Sequence, residues 1–205
     1  MHIITWERFL ENGIPAKHNA KKTSMTIGVF DGVHLGHQAL IKQVVSHNAE
    51  YTPVVVTFKK NHKIKKIRNM KSKMINEAKN VPKNILSFQQ KIKKLKKLGI
   101  KIIIVIAFTD EFKKMPGIEF LEKLSEHGNA GFFVIGSNFR CGYKLDTDAE
   151  KIKSFFAKKN IPVEIIPEVM EDSIPISSSR IRTAIAEGNF QLAKKMMDAR
   201  LQQPE

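Results

Sequence analysis

Met25-Thr26-Ile27-Gly28-Val29-Phe30-Asp31-Gly32-Val33-His34-Leu35-Gly36-His37 begins as a buried strand and ends at the start of a helix. Residues 25–30 form a short apolar run, which predicts a strand covered on both faces. Residues 38–45 follow, with Ala39, Leu40, Ile41, Val44 and Val45 as a broad apolar stripe, which predicts a helix. The turn between them holds Gly32 and Gly36, with Gly28 just before it. Such residues permit close backbone approach or unusual dihedrals. In a parallel sheet, ligands bind beyond the carboxyl ends of the strands, where a helix N-terminus offers free N–H groups and a positive dipole end.

The same alternation continues along the chain. Residues 53–58 are β-branched and short, hence a second strand. Phe88, Ile92, Leu95 and Leu98 repeat at helical spacing with lysines on the other face, and Gly99 stands as a C-terminal cap. Residues 102–107 are continuously apolar, as a doubly covered parallel strand requires. Residues 118–124 read as a helix, 132–135 as a strand, 148–157 as a helix and 162–166 as a strand. Two short helices are expected after Ser179 and after Phe190. This order predicts an α/β fold, a Rossmann-like doubly wound parallel sheet with helices on both faces. The stretch 59–83 is basic, polar and aperiodic, and reads as a long loop. No internal repeat or Gly/Ser linker interrupts the chain, so one domain over residues 1–205 is expected.

The bulk properties narrow the class. With 205 residues and 42% hydrophobic content, the chain can bury a substantial core. No run of eighteen apolar residues is present, and the N-terminus lacks a secretory pattern, so a cytoplasmic protein is expected. Cys141 stands alone, which excludes an intramolecular disulfide and argues against a cysteine zinc site. The net charge of +15 attracts polyanions such as ATP, nucleic acid or an acidic membrane surface. Lysines crowd residues 59–101. They read either as a solvated surface or as steering for anionic substrates. Aromatic residues are not interleaved with them as a single-strand stacking platform needs, so nucleic acid is not the expected partner.

Two constellations carry chemistry. His34 and His37 stand three apart at the expected helix start, so both imidazoles can project to one side. With helix N–H groups they form an oxyanion clamp. The plainer reading is a half-built metal site or two surface histidines. The second constellation is Ile176-Ser177-Ser178-Ser179-Arg180-Ile181-Arg182. Serines suit helix N-caps, which makes this another anion-binding helix start. Arg182 is placed in the first turn, where a cation opposes the helix dipole unless it grips a phosphate. A plainly capped helix with an exposed arginine is the alternative.

Residues 28–37 carry the pattern G-x-F-D-G-x-H-x-G-H without exception, and residues 176–182 carry I-S-S-[ST]-x-x-R. Phe108-Thr109-Asp110-Glu111-Phe112, Glu119-Phe120-Leu121 and the stretch Val134-Ile135-Gly136-Ser137-Asn138-Phe139-Arg140-Cys141-Gly142 complete the likeness. The chain resembles the FMN adenylyltransferase module of bacterial FAD synthetases, which is usually fused to a riboflavin kinase. That resemblance implies transfer of AMP from ATP to FMN, giving FAD and pyrophosphate, with Mg²⁺ on the phosphates and no dedicated protein metal ligands.

It also implies residue roles. His34 and His37 would hold the ATP phosphates and stabilise the pentacoordinate transition state, and Arg182 would bind the leaving pyrophosphate with Ser178 and Ser179. Gly28, Phe30, Asp31, Gly36 and Ser177 would complete the ATP site, Asp31 orienting His34 or the nucleotide. Asn138, Thr57 and His62 fall on the implied flavin side. There the sequence departs from the family. Thr-Phe-Asp-Pro-His-Pro is usual after the second strand, whereas Thr57-Phe58-Lys59-Lys60-Asn61-His62 stands here. Asn138 replaces a common aspartate. The chain ends at Gln203-Pro204-Glu205, so riboflavin phosphorylation is not expected of it. Another phosphorylated acceptor, or a non-catalytic nucleotide- or flavin-binding role, are the competing readings.

Overall fold

The structure is a computed structural model that describes residues 1–15, 18, 21–59 and 81–198. Six parallel strands form its sheet: β1 (His2–Thr5), β2 (Thr23–Ile27), β3 (Thr52–Lys59), β4 (Ile102–Ala107), β5 (Ala130–Gly136) and β8 (Val163–Ile166), in the spatial order β1-β4-β3-β2-β5-β8. The β-branched strands alternate their side chains between two cores. Val54, Val56, Ile102 and Ile104 face one, and Val55, Ile103 and Val105 face the other.

Helices cover both faces. On the first face lie α1 (Trp6–Asn12), α4 (Gly117–His127) and α5 (Ala149–Ala157), which bury Trp6, Phe9, Phe120, Leu124 and Phe156. On the second lie α2 (Leu35–Ser46) and α3 (Phe88–Lys97), which bury Ile41, Val44 and Leu95. The strand order places β2 where the chain reverses direction across the sheet. Its neighbours β3 and β5 are reached by crossovers running to opposite sides, so a crevice opens at the carboxyl ends of β2 and β5.

A third, smaller core is separate from the sheet. Helices α6 (Ser178–Ala186) and α7 (Phe190–Met197) pack Ile181, Ala184, Ala193 and Met196 with Ile176 against Leu35, at the start of α2. That core brings the late serine–arginine segment to the early loop. Two short antiparallel ribbons complete the described chain: β6 (Arg140–Cys141) with β7 (Thr147–Asp148), and β9 (Met170–Glu171) with β10 (Ile174–Pro175).

The expected doubly wound sheet is present, with several corrections. Strand β2 stops at Ile27, not at residue 30, because Phe30 adopts φ 52° and cannot continue a strand. Helix α2 starts at Leu35, three residues before the apolar stripe becomes visible. Strand β1 and helix α1 went unanticipated. The strand is a four-residue edge with alternating burial, and the helix begins where Thr5 Oγ1 accepts from the Arg8 amide. On α3, Lys91 lies on the buried face and not with the other lysines. Of the basic stretch 59–83, Lys59 ends β3 and residues 81–83 precede the Ser87 capping box of α3. Residues 60–80, and with them His62, lie outside the described residues.

Candidate active site

The loop after β2 turns sharply through three residues with left-handed backbone. Phe30 (φ 52°), Gly32 (φ 84°) and Val33 (φ 47°) all sit in the left-handed region. For Phe30 and the β-branched Val33 this costs on the order of 1–2 kcal/mol each. Both side chains are fully buried in the second core, which offsets the strain.

Side chains hold the loop carbonyls from outside. Val29 O accepts from Lys91 Nζ at 3.0 Å and Thr57 Oγ1 at 3.1 Å. Asp31 O accepts from Ser178 Oγ at 2.9 Å, Gly32 O from Lys94 Nζ at 3.4 Å and Val33 O from Gln38 Nε2 at 2.9 Å. The carbonyls are thus occupied, while the amides of Leu35, Gly36 and His37 begin α2 without helical acceptors. His34 is the N-cap residue, and its side chain makes no capping hydrogen bond.

The imidazoles of His34 and His37 stack with ring centroids 3.6 Å apart, and Phe30 packs on His37 at 5.0 Å. A Cβ on residue 36 would press on the His34 ring at 3.3 Å, so glycine there permits the stack. Each ring keeps a buried Nδ1 without a hydrogen-bond partner among the described residues. Such orphaned atoms concentrate at functional sites. Burial pushes His34 down to about 4, with Lys94 adding to the effect and Asp31 opposing it. Burial also holds His37 well below the usual imidazole range, helped by His34, Lys91 and Lys94. Both rings are therefore neutral near pH 7.

Arg182 is the fifth residue of α6, past the first turn in which the sequence reading put it. Its guanidinium donates to Asp31 Oδ2 at 2.7 Å and to Ser179 Oγ at 3.2 Å. Asp31 Oδ1 accepts from the Ile85 amide at 2.9 Å. Asp31 therefore joins the loop, the segment before α3 and helix α6 through its carboxylate. Ser177 caps α6 by accepting from the Arg180 amide at 3.1 Å.

A cavity of about 880 Å³ opens beside His37 at the β2–β5 crevice. Gly28, Val29 and Phe30 form one edge and Gly136, Asn138 and Phe139 another. Its walls are mainly aromatic: Phe58, Phe108, Phe112 and Phe120 join them, with Phe58–Phe108 and Phe108–Phe112 centroids both 5.8 Å apart. Lys113, Arg140 and Lys144 supply positive charge to the lining. Cys141 lines it as a neutral thiol, pushed up to about 12 by burial and by Asp146.

The structure brings Gly28, Phe30, Asp31, His34, Gly36, His37, Ser178, Ser179 and Arg182 together. Asn138 reaches the cavity lining and donates to Glu168 Oε1 at 2.8 Å. Thr57 does not line the cavity. It is buried behind the loop, bonded to Val29 O and Lys91. Sequence reasoning missed the aromatic wall, whose signal was the thirteen phenylalanines against two tyrosines and one tryptophan. It also missed Lys91, a lysine at the i+3 position after Phe88 on an otherwise apolar stripe.

The FAD synthetase family profile matches residues 16–180. The chain belongs to the FAD synthetase family. A bifunctional riboflavin kinase/FMN adenylyltransferase of Buchnera aphidicola subsp. Schizaphis graminum is 31% identical over 188 residues, 88% of this chain and 57% of its own length. A FAD synthetase of Listeria monocytogenes is 25% identical over 180 residues, covering 87% of this chain and 70% of that protein. The crystal structure of the macrolide-efflux protein from Streptococcus pneumoniae superposes with a TM-score of 0.77 at 27% identity, over 95% of this chain and 59% of that one. The chain thus spans a little over half the length of the bifunctional relatives it matches. The matched residues 16–180 include the loop after β2, with Asp31, and the first residues of α6.

Proposed function

We propose that this protein transfers AMP from ATP to FMN, yielding FAD and pyrophosphate. One observation carries the reading: the cavity that could hold an aromatic acceptor shares Gly28–Phe30 and His37 with the phosphate-binding loop. A ring system between the phenylalanines would direct its terminal phosphate toward phosphates lying on α2.

The nucleophile is then a phosphomonoester, whose second pKa of about 6 leaves it ionised near neutrality. No general base is required, and the loop's one carboxylate, Asp31, is already occupied. Catalysis rests on alignment and on charge neutralisation. The His34 and His37 rings and the free α2 amides meet the phosphates, and polyphosphate charge draws protons onto the imidazoles. Arg182, preset by Asp31 and Ser179, faces the leaving pyrophosphate.

Mg²⁺ neutralises phosphate charge when bound. No group of three His, Cys, Asp or Glu able to hold a metal exists among the described residues. No helix among the described residues is long and apolar enough to cross a membrane. The single buried thiol and the ATP requirement favour the cytoplasm.

The test is chromatographic detection of FAD from FMN, ATP and Mg²⁺. FAD formation is expected. Pyrophosphate release only with a different phosphorylated acceptor would replace FMN, a reading that the departure at residues 59–62 favours.

A further inference from the structure

Helix α3 carries two lysines one turn apart that do not behave like its others. Lys93, Lys96 and Lys97 face solvent. Lys91 is only 7% exposed, and its ammonium donates to Val29 O at 3.0 Å, Thr57 Oγ1 at 3.0 Å and Phe58 O at 3.4 Å. Lys94, partly buried, donates to Gly32 O and Met197 O, both at 3.4 Å. Spacing of i and i+3 sets both on one side of the helix.

Burying an ammonium costs free energy that a methionine of similar length would not. Nothing in the packing of α3 requires lysine at 91, since Ile92, Leu95 and Leu98 already supply its apolar face. Besides Thr57 and Phe58 of β3 and Met197 of α7, the lysines touch the nucleotide loop at carbonyls on either side of its left-handed Phe30. Ammonium groups on those carbonyls polarise the adjoining peptides, whose N–H groups are those of Phe30 and Val33.

We propose that Lys91 and Lys94 are positioning residues for nucleotide transfer, holding the loop in its strained form and placing two positive charges behind the bound phosphates. This rests on the reading of the loop as an ATP-phosphate cradle. The charges facing the two histidines are Lys91 and Lys94 from α3, Asp31 from the loop, and His34 on His37. Arg182 of α6 bonds to Asp31, and Asp198 after α7 acts on Lys94. Lysine cations here add to the burial that keeps the free imidazoles neutral.

Lys91→Met and Lys94→Met, with Lys94→Arg as the charge-preserving control, test this on the full chain. Three quantities are read: ATP dependence of FAD formation, equilibrium ATP binding, and NMR titration of His34 and His37 without substrate. Each methionine variant should lose roughly tenfold or more in kcat/KM for ATP, as removal of a charged hydrogen bond does. The KM for FMN should stay near the parent value. The His37 midpoint should rise in both methionine variants and the His34 midpoint in Lys94→Met, while Lys94→Arg should keep both readouts near the parent.

A lower melting temperature with unchanged histidine midpoints and ATP affinity would reduce both lysines to structural residues and overturn the proposal. If Lys91→Met does not fold, the partly buried Lys94 decides the matter. If the parent protein makes no FAD, the acceptor reading fails, while ATP binding and the histidine titration still judge the lysines.

Discussion

The Arg182 guanidinium lies 2.7 Å from the Asp31 carboxylate across 151 positions of sequence. Asp31 is 8% exposed at its side chain and Arg182 22%, so water screens the pair only weakly. The two segments that resemble phosphate-binding motifs are therefore one object, with Asp31 as the joint.

Asp31→Asn keeps an acceptor for the Ile85 amide and removes the charge that holds Arg182. We expect a stability loss of about 1.5–3 kcal/mol, the worth of a charged hydrogen bond, read from denaturant midpoints. The KM for ATP should rise as Arg182 loses its preset position. An unchanged KM would mean that Arg182 finds phosphate without Asp31.

His37→Ala should reduce turnover by roughly 10²–10³-fold, typical for loss of one oxyanion-type donor, with ATP binding less affected. Steady-state and ATP-binding measurements separate the two. Turnover equal to the parent would remove His37 from the mechanism.

Stability should fall with acid in a defined window. The folded midpoint of His34 is about 4, below the value of 6.5 expected when unfolded, and His37 is shifted the same way. Between those values the unfolded chain binds more protons, so folding stability is fully present above pH 6.5 and declines toward pH 4. Each unit of depression corresponds to about 1.4 kcal/mol. Replacing both histidines with asparagine should flatten this part of the pH–stability curve. ATP binding should take up protons in the same range, measurable by calorimetry in buffers of different ionisation enthalpy.

Gly142→Ala probes the far wall of the cavity. Gly142 has φ 84°, and a Cβ there would run into the Asp146 carboxylate and the Gly117 backbone. Backbone strain alone costs about 1–2 kcal/mol, and the collision adds to it. Loss of stability together with weaker quenching of FMN fluorescence is expected. Normal flavin binding in a folded variant would move the acceptor away from this wall.

Much of this architecture was legible beforehand where one physical signal dominated. Residues 102–107 could only be a doubly covered strand, and β4 has those limits. Gly99, with φ 96°, ends α3 as expected of a cap. Local patterns failed where long-range contacts decide. The buried contacts of Phe30 and Val33 stabilise left-handed backbone that no propensity favours, so β2 ends early. Lys91 looks like a solvent residue until Val29 and Phe58, distant in sequence, supply its acceptors. Thr57 followed a family position, yet its hydroxyl is spent inside the protein. The aromatic wall gathers phenylalanines from β3, α4 and the segments after β4 and β5, and no single stretch contains it.

The small core around Leu35, Ile181 and Met196 sets an order of assembly. All six sheet strands precede residue 167, whereas Arg182 comes later in synthesis. A nascent chain can complete its sheet and its loop before the arginine leaves the ribosome. The site is thus finished last, by helices anchored through a core of their own. Joined to the rest through Leu35 and Asp31, those helices are expected to open as one unit. Hydrogen exchange in α6 and α7 should report on its opening while the sheet amides stay protected, and nucleotide should slow the exchange there first.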